Sequence, residues 1–171
     1  RLTKMSSNVL LLSKIENQQF ITNQTEYYLD EQIRNCVILL EKQWSKKNIE
    51  ISLSLDKLKI FSDEELLSHL WINLIDNSIK YTDENGKISI TLHETENKIF
   101  FSISDTGKGM DEYTLKHIFD KFYQADRSRS THGNGLGLSI AKRIVELCRG
   151  EITVDSRLGT GTTFYVTLPK Y

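Results

Sequence analysis

The chain of 171 residues carries 22 lysines and arginines against 23 aspartates and glutamates, which gives a net charge of −1. Both signs are interspersed, so no global basic field is available to hold nucleic acid or an anionic membrane, and a phosphate-bearing ligand must be bound by local groups. The length fits one domain with an appended helix.

The two cysteines and the N-terminus indicate where such a chain would occur. Cys36 and Cys148 lack the CxxC or Cys/His spacing of a metal site and are interpreted as small core residues in a reducing compartment. No apolar run is long enough to cross a bilayer, and no signal-peptide pattern is present. The chain begins with Arg1 inside a helical pattern rather than with Met, so we interpret it as a fragment of a longer protein.

The first segment has the pattern of a helix that packs against other helices. Its apolar residues Leu2, Met5, Val9 and Leu12 are separated by three, four and three positions, as in the a/d seam of a coiled coil. An ordinary amphipathic helix over so short a stretch remains the alternative. The polar stretch Asn17–Asn23 is interpreted as a connector.

Strand and helix patterns follow this connector. Thr25–Leu29 is a candidate strand, and Asp30 is the predicted N-cap of a helix that runs to about Lys47. Ile49–Leu55 alternates apolar and polar residues, as a half-buried strand does, and Lys59–Phe61 is a shorter strand candidate.

A central helix is predicted next, and the sequence Ser62-Asp63-Glu64-Glu65 matches a capping box at its start. One face repeats apolar or small residues at spacings of three and four: Leu67, Leu70, Leu74 and Ser78. A second face carries polar groups within roughly a quarter-turn of one another: Asn73, Asn77, Lys80 and Tyr81. Polar groups on one ridge of an apolar helix need partners, which indicates a binding site, although a solvated helix face is the alternative.

The rest of the chain contains more strands than helices. Asn85-Gly86 is a turn signal, and the alternating segments Ile88–Leu92 and Ile99–Ile103 are predicted to pair as antiparallel strands. The chain closes with a predicted helix and two predicted strands: Gly135–Cys148, Glu151–Asp155 and Thr162–Leu168. Strands segregated from a few long helices predict an α+β fold, a two-layer sandwich with helices packed on one face of a mixed sheet.

Two glycine-containing loops have the residues to bind a nucleotide. Asp105–Met110 follows a strand, and an aspartate followed by two glycines lets the backbone approach a flat ligand while the carboxylate accepts a hydrogen bond, for which an adenine amine is a suitable donor. Gly133–Leu138 opens a helix, whose N-terminal N–H groups attract anions. Each loop alone is also explained as a turn, and Gly159–Thr162 is also explained as a hairpin turn.

The order of these segments resembles the ATP-binding catalytic domain of sensor histidine kinases over nearly the whole chain. NLIDNSIKYT (73–82) is similar to that family's N box, DTGKGM (105–110) to its first glycine box, and IFDKFYQAD (118–126) to its F box. GNGLGL (133–138) and GTGTTF (159–164) are similar to its last two glycine boxes. The resemblance implies a Bergerat-type fold with an ATP lid. It also implies that residues 1–20 end a truncated dimerisation and phosphoacceptor hairpin and that residues 21–171 form the catalytic domain.

The resemblance assigns roles to the polar ridge and to the first glycine box. Asn77 is expected to give an oxygen to Mg²⁺, and Asn73 to contact phosphate or the metal shell. Lys80 is expected to contact the phosphates, Tyr81 the adenine or ribose, and Asp105 the adenine amine. The residues with an implied catalytic role are Asn73, Asn77, Lys80 and Arg129.

The segment Asp111–Asn134 resembles the mobile ATP lid of the family. Phe119 and Phe122 are expected to anchor it, and Arg129 to reach the terminal phosphate. The remaining residues that the resemblance assigns to nucleotide binding are Gly107, Gly109, Met110, Tyr123, Arg127, Gly133, Gly135, Leu136, Gly137, Leu138 and Thr162.

Two positions depart from the family pattern. Gln124 stands where many members carry an arginine, which puts one contact between lid and phosphate in doubt and shifts weight to Arg127 and Arg129. Arg149-Gly150 stands where the family usually has two glycines, and we expect this change to affect the turn rather than the chemistry.

The residue at position 73 bears on the reaction. In the related gyrase-type, chaperone and mismatch-repair ATPases, the resemblance implies a glutamate here that deprotonates water, and an asparagine amide cannot act as a general base. Loss of a positioned base typically costs ~10²–10⁴ in rate. Asn73 therefore favours phosphoryl transfer to a good nucleophile such as a histidine nitrogen.

The acceptor histidine is not expected in this chain. None of the four histidines, at positions 69, 93, 117 and 132, lies beside an acidic residue on a helix with an a/d seam. The helix Arg1–Gln18 resembles the end of the second hairpin helix, which would place the acceptor upstream.

The resemblance implies a Mg-ATP-dependent histidine kinase domain that phosphorylates its own dimerisation domain, with a response regulator as the next partner. It also implies a cytoplasmic domain of a membrane-anchored homodimer. The alternative is a nucleotide-binding regulatory module of the same fold without kinase activity, which Gln124 and the missing acceptor favour.

Overall fold

The computed structural model describes residues 2–125 and 133–170. Within these ranges, the helices are α1 (Leu2–Glu16), α2 (Leu29–Leu39), α3 (Glu41–Lys46), α4 (Glu64–Tyr81), α5 (Glu112–His117) and α6 (Gly137–Leu147). The strands are β1 (Gln24–Tyr28), β2 (Glu50–Leu55), β3 (Lys59–Asp63), β4 (Lys87–Glu94), β5 (Lys98–Asp105), β6 (Glu151–Arg157) and β7 (Gly161–Pro169). None of the described helices combines the length and the apolar character needed to cross a membrane.

Five strands form one mixed sheet in the order β2-β4-β5-β7-β6. β2 pairs with β4 in parallel, whereas the other neighbours are antiparallel, including the predicted pair β4 and β5. β1 and β3 form a separate antiparallel pair. The predicted α+β fold with a mixed sheet is therefore confirmed.

Helices cover one face of the sheet. Alternate strand residues point to opposite faces, so only every second residue of a strand contacts the helices. Ile103 of β5 and Leu70 of α4 are fully buried in the same hydrophobic core, and the ring of Trp71 lies 4.5 Å from that of Phe101 between centroids. The opposite face is polar. Hydroxyl groups pair across it between neighbouring strands: Ser52 with Ser89, Thr91 with Ser102 and Ser104 with Thr163. Both cysteines are buried and unpaired, as expected of core residues.

The predicted helix from Asp30 to Lys47 is wrong in two respects. Asp30 lies inside α2 rather than at its N-cap, because its side chain is buried and accepts a hydrogen bond from the Leu58 backbone N–H at 3.2 Å. The helix also breaks after Leu39. The carbonyl of Val37 at the break accepts the indole N–H of Trp44 at 2.9 Å, which satisfies a group that the continuous helix would have used.

The predicted capping box is displaced by one residue. Asp63, not Ser62, is the N-cap of α4, and its Oδ1 accepts the Leu66 N–H at 3.0 Å. Ser62 remains in β3, where it pairs with Thr25 of β1, so it is not available to the helix.

The helix α1 is buried only towards its C-terminus. Ile15 is fully buried, whereas Leu2 is 84% exposed and Met5 and Val9 are each 43% exposed. Arg143 of α6 binds the end of α1 through hydrogen bonds to the carbonyl oxygens of Ile15 at 3.1 Å and Gln18 at 2.5 Å. The exposed part of the predicted seam thus faces away from the described core.

We expect the substitution Asp63→Ala to lower the free energy of unfolding by about 1 kcal/mol, because it removes the N-cap of α4. Asp63→Asn keeps an acceptor and is the matched control. Denaturant unfolding of the two variants measures the difference, and equal losses in both would contradict the assignment of Asp63 as the cap.

Candidate functional site

The polar ridge of α4 lies where the sequence predicted it. The side chains on the helix face next to the ridge, Leu67, Leu70, Leu74 and Ser78, are fully buried. The four ridge residues Asn73, Asn77, Lys80 and Tyr81 are half-buried. The helix therefore presents amide, ammonium and phenol groups from the edge of the core, where a ligand can reach them.

Lys47 holds the end of this ridge, and sequence reasoning missed it. Its ammonium group donates hydrogen bonds to the carbonyl oxygens of Ile79 at 2.8 Å, Lys80 at 3.1 Å and Thr82 at 2.9 Å. These are C-terminal carbonyls of α4, which lack partners within the helix. The contact spans more than thirty residues of sequence, so no local pattern could have revealed it.

The first glycine box packs directly against the end of α4. A Cβ atom at Gly107 would lie 2.3 Å from the carbonyl oxygen of Tyr81 and 2.8 Å from Oδ1 of Asp105. The N–H of Lys108 donates to the same Tyr81 oxygen at 3.3 Å. Only glycine fits at position 107, and this close approach brings the ridge and the carboxylate together.

Asp105 lies at the end of β5 and is 6% exposed. Its Oδ1 accepts the backbone N–H groups of Gly107 at 2.9 Å and Thr162 at 3.3 Å. Within the described residues Oδ2 makes no hydrogen bond. The atom is not fully enclosed, so a ligand donor can reach it. Burial raises the pKa of this carboxyl, and the two backbone hydrogen bonds oppose the shift. A ligand N–H at Oδ2 would further stabilise the ionised form.

The N-terminus of α6 faces the ridge from the other side. A Cβ atom at Gly137 would lie 3.4 Å from Oδ1 of Asn73, so the second glycine box and the N box are in contact. The N-cap Leu136 supplies no side-chain hydrogen bond to the helix, which leaves first-turn N–H groups for an anion. The Leu136 side chain is fully buried, so only its backbone is available to a ligand, and Leu138 is half-buried.

Cations line the rim between these two ends. The ammonium groups of Lys80 and Lys108 each lie 5.0 Å from the centroid of the Tyr81 ring. A Cβ atom at Gly133 would lie 3.1 Å from the Lys80 nitrogen, so this lysine reaches the end of the segment predicted as the lid. Lys108 was not among the predicted site residues, although it lies inside the first glycine box.

The F box meets the prediction in part. Phe119 packs on the core, with its ring edge-on to Phe164 at 6.4 Å between centroids. Phe122 is 59% exposed, so its ring does not pack on the core. The backbone makes the anchor instead, because the Phe122 N–H donates to the Gly135 carbonyl at 2.9 Å. Gln124 donates to the Gly133 carbonyl at 2.8 Å, which closes the same segment at its base.

The remaining predicted residues are less central or lie outside the described ranges. The Met110 N–H donates to Ser156 Oγ at 2.9 Å, and Gly109, at φ 67°, packs on the carbonyl of Arg157. The ring of Tyr123 lies 5.6 Å from that of His117 rather than against the ridge. Arg127 and Arg129 lie outside the described residues. Arg149, at φ 55°, takes the left-handed conformation that favours glycine, at the turn where the family pattern has glycine.

A metal ion at this site would depend on amide oxygens. In residues 2–125 and 133–170 no group of three or more His, Cys, Asp or Glu side chains could hold one. The ridge offers the amides of Asn73 and Asn77, which suit a hard cation that is also bound by ligand phosphates and water.

The arrangement has a carboxylate acceptor at the Tyr81 end of the ridge and the N-terminus of α6 at the Asn73 end, with the Lys80 ammonium reaching Gly133. Asp105 suits a donor on a flat heterocycle, and Tyr81 offers an aromatic ring beside it. Lys80 and the N-terminus of α6 suit phosphates. The site therefore has the chemistry of a nucleotide pocket.

Residues 62–171 match the family model described as histidine kinase-, DNA gyrase B- and HSP90-like ATPase. Among curated relatives, the adaptive-response sensory kinase SasA of Crocosphaera subtropica is 35% identical over 99% of this chain and 45% of its own length. The chain thus spans less than half of that relative.

Solved structures of the same kind are similar in fold. The catalytic domain of histidine kinase ThkA is 33% identical over 87% of this chain and 97% of that chain, with a TM-score of 0.78. ThkA in complex with the response regulator protein TrrA is 28% identical over 99% of this chain and 48% of that chain, with a TM-score of 0.80. Full-length ShkA in complex with AMPPNP is 26% identical over 99% of this chain and 36% of that chain, with a TM-score of 0.87.

We expect Asp105→Asn to leave the free energy of unfolding at pH 7 unchanged or higher, because asparagine keeps an acceptor for Gly107 and Thr162 and removes a buried charge. Asp105→Ala removes the acceptor as well and should cost about 1–3 kcal/mol. A raised folded-state pKa stabilises the fold at low pH and loses this contribution as the pH rises, so any gain in Asp105→Asn should vanish as the pH falls below the ordinary value of 3.8.

Thermal unfolding between pH 3 and pH 8 without nucleotide measures both effects. A lower stability of Asp105→Asn at pH 7 would contradict the account of the carboxylate as a buried charge.

Proposed function

The chain belongs to the family of histidine kinase-, DNA gyrase B- and HSP90-like ATPases, and from this premise we propose that it is the Mg-ATP-binding catalytic domain of a sensor histidine kinase. It transfers the γ-phosphoryl group of ATP to a histidine of a dimerisation domain. The observation that carries this proposal is that two groups of opposite character flank one polar ridge. The Asp105 carboxylate meets the C-terminal end of the ridge, where Gly107 packs on Tyr81. The N-terminus of α6 lies against Asn73 at the other end.

The adenine binds at the Asp105 end of the pocket. Oδ2 accepts the exocyclic amine, since Oδ1 is already occupied by the N–H groups of Gly107 and Thr162. Tyr81 lies against the adenine or ribose. Gly107 keeps the pocket open, because any side chain there would collide with Tyr81 and Asp105.

The phosphates bind at the other end, along the ridge. Lys80 supplies a positive charge beside Gly133, and the N-terminus of α6 supplies backbone N–H groups beside Asn73. Arg127 and Arg129 are proposed from the sequence to add charge at the terminal phosphate.

Mg²⁺ fits the amide oxygen of Asn77, with Asn73 one turn earlier on the same face to contact the phosphates or the metal shell. When bound, the ion neutralises phosphate charge and orients the phosphate chain. The residues of this chain do the rest by positioning and by electrostatic stabilisation.

Asn73 supports transfer over hydrolysis. Its amide lies against Gly137 at the start of α6, and it stands where the resemblance to the related ATPases implies a glutamate that activates water. An amide takes up no proton at neutral pH, so the pocket favours an acceptor that is itself nucleophilic. A histidine nitrogen meets this requirement.

The acceptor and the later partners are proposed from the family. Two of the three described histidines make contacts away from the site: His93 stacks on Phe100 at 5.2 Å between centroids, and His117 bonds to Asp120 at 2.8 Å. The exposed seam of α1 supports its assignment to a dimerisation hairpin, with the catalytic domain starting near residue 21. The complex of the related ThkA with a response regulator supports a response regulator as the next acceptor. We further propose a cytoplasmic position within a membrane-anchored homodimer.

A phosphotransfer assay with labelled ATP and a separately supplied dimerisation domain tests the proposal. We expect a labelled histidine on that domain. Asn77→Asp should weaken Mg-ATP binding by about tenfold or more, because the new carboxylate places a negative charge beside the negatively charged phosphates. Arg129→Ala should slow transfer more than it weakens binding.

Lys98→Ala, at the exposed start of β5, is the matched control and should change neither quantity. Absence of labelled histidine with intact Mg-ATP binding would contradict kinase activity and favour the nucleotide-binding regulatory module. Absence of nucleotide binding would contradict both functions.

A further inference from the structure

We propose that Lys108 is a nucleobase-binding residue: its ammonium group, held over the Tyr81 ring at the Asp105 end of the pocket, makes a cation–π contact with the adenine. The proposal rests on the proposed function, because it concerns the nucleotide that the same pocket binds. The resemblance to the kinase family assigns roles to Gly107 and Gly109 but none to the residue between them.

The backbone of Lys108 is fixed at the end of the pocket where Asp105 lies. Its N–H group donates to the Tyr81 carbonyl at 3.3 Å, and its carbonyl accepts the Gly159 N–H at 2.6 Å. The preceding residue, Gly107, donates its N–H to Asp105 Oδ1 at 2.9 Å. The Lys108 side chain therefore starts beside the carboxylate that is proposed to bind the adenine amine, and not at the end that is proposed to bind the phosphates.

The Lys108 side chain lies over the ridge of α4 rather than extending into solvent. Its ammonium nitrogen is 5.0 Å from the centroid of the Tyr81 ring, and the residue is half-buried. Among the residues that the structure describes, no carboxylate or carbonyl oxygen binds this ammonium group. An aromatic ring satisfies an ammonium group only in part, so a further contact is available to a ligand. The ring also orders the side chain before the nucleotide arrives, which lowers the entropic cost of binding.

Lys80 lies over the same ring, but its position suits another part of the ligand. Its ammonium nitrogen would lie 3.1 Å from a Cβ atom at Gly133, in the segment that leads into α6. This is the side where backbone N–H groups await an anion, so Lys80 is the cation for the phosphates. Lys108, on the glycine box, is then the cation for the base, because the π face of a purine attracts a positive charge.

Ligands that share the base and differ in phosphate number separate the two kinds of contact. Lys108→Met keeps the apolar stem and removes the charge, so we expect weaker binding of adenosine, ADP and ATP by the same factor, about two- to fivefold for one cation–π contact. Lys108→Arg keeps the charge and should retain most of the affinity. Lys80→Met should weaken ATP binding more than adenosine binding. Lys98→Met, at the exposed start of β5, is the matched control and should change no affinity.

Dissociation constants from NMR titrations in one magnesium buffer measure these factors. A loss in Lys108→Met that grows from adenosine to ADP to ATP would overturn the contact with the base, because a cation that acts on the phosphates has more effect as the ligand charge rises. An unchanged affinity in Lys108→Met, or an equal loss in Lys108→Arg, would overturn it as well, and ATP binding by the wild type would leave the proposed function intact. Failure of the wild type to bind ADP and ATP would contradict the proposed function instead.

Discussion

The structure depends on a carboxylate that is buried where a strand, a loop and a helix meet. Asp105 ends β5 and binds the N–H groups of Gly107 and of Thr162 on β7, next to the end of α4. The close approach of Gly107 to Tyr81 joins this end of the sheet to the ridge of α4 and allows no side chain between them. The pocket is therefore built around a charge that the core alone would disfavour.

The two ends of the pocket differ in the charge that they present to a ligand. The Asp105 end holds one negative charge with backbone donors and keeps one oxygen free among the described residues. The opposite end meets the uncapped N-terminus of α6 at Asn73, and the Lys80 ammonium lies beside the Tyr81 ring and Gly133, so both can balance an anion bound along the ridge. α4 connects the two ends of the pocket and sets the distance between them. Lys47 fixes the C-terminal end of α4 through hydrogen bonds to three carbonyl groups.

Sequence patterns predicted the parts of this arrangement that depend on local periodicity or on motif order. Alternation located β4 and β5, and the glycine boxes located Asp105 and the start of α6. A prediction that depends on a tertiary contact failed: Asp30 lies inside α2 and accepts the Leu58 N–H rather than capping the helix. A short stretch of sequence does not reveal such a contact, because its two residues are far apart in the chain and each is also compatible with a surface position.

The central claim is that ATP lies between the ridge of α4 and the segment that follows Met110. Titration of the ¹⁵N-labelled protein with Mg-ATP tests it most directly. We predict saturable shifts of the amide signals of Asn77, Asp105 and Gly135, with those of the outer β2 strand unchanged. Signals at these three residues that stay in place, while nucleotide binds elsewhere or not at all, would contradict the account.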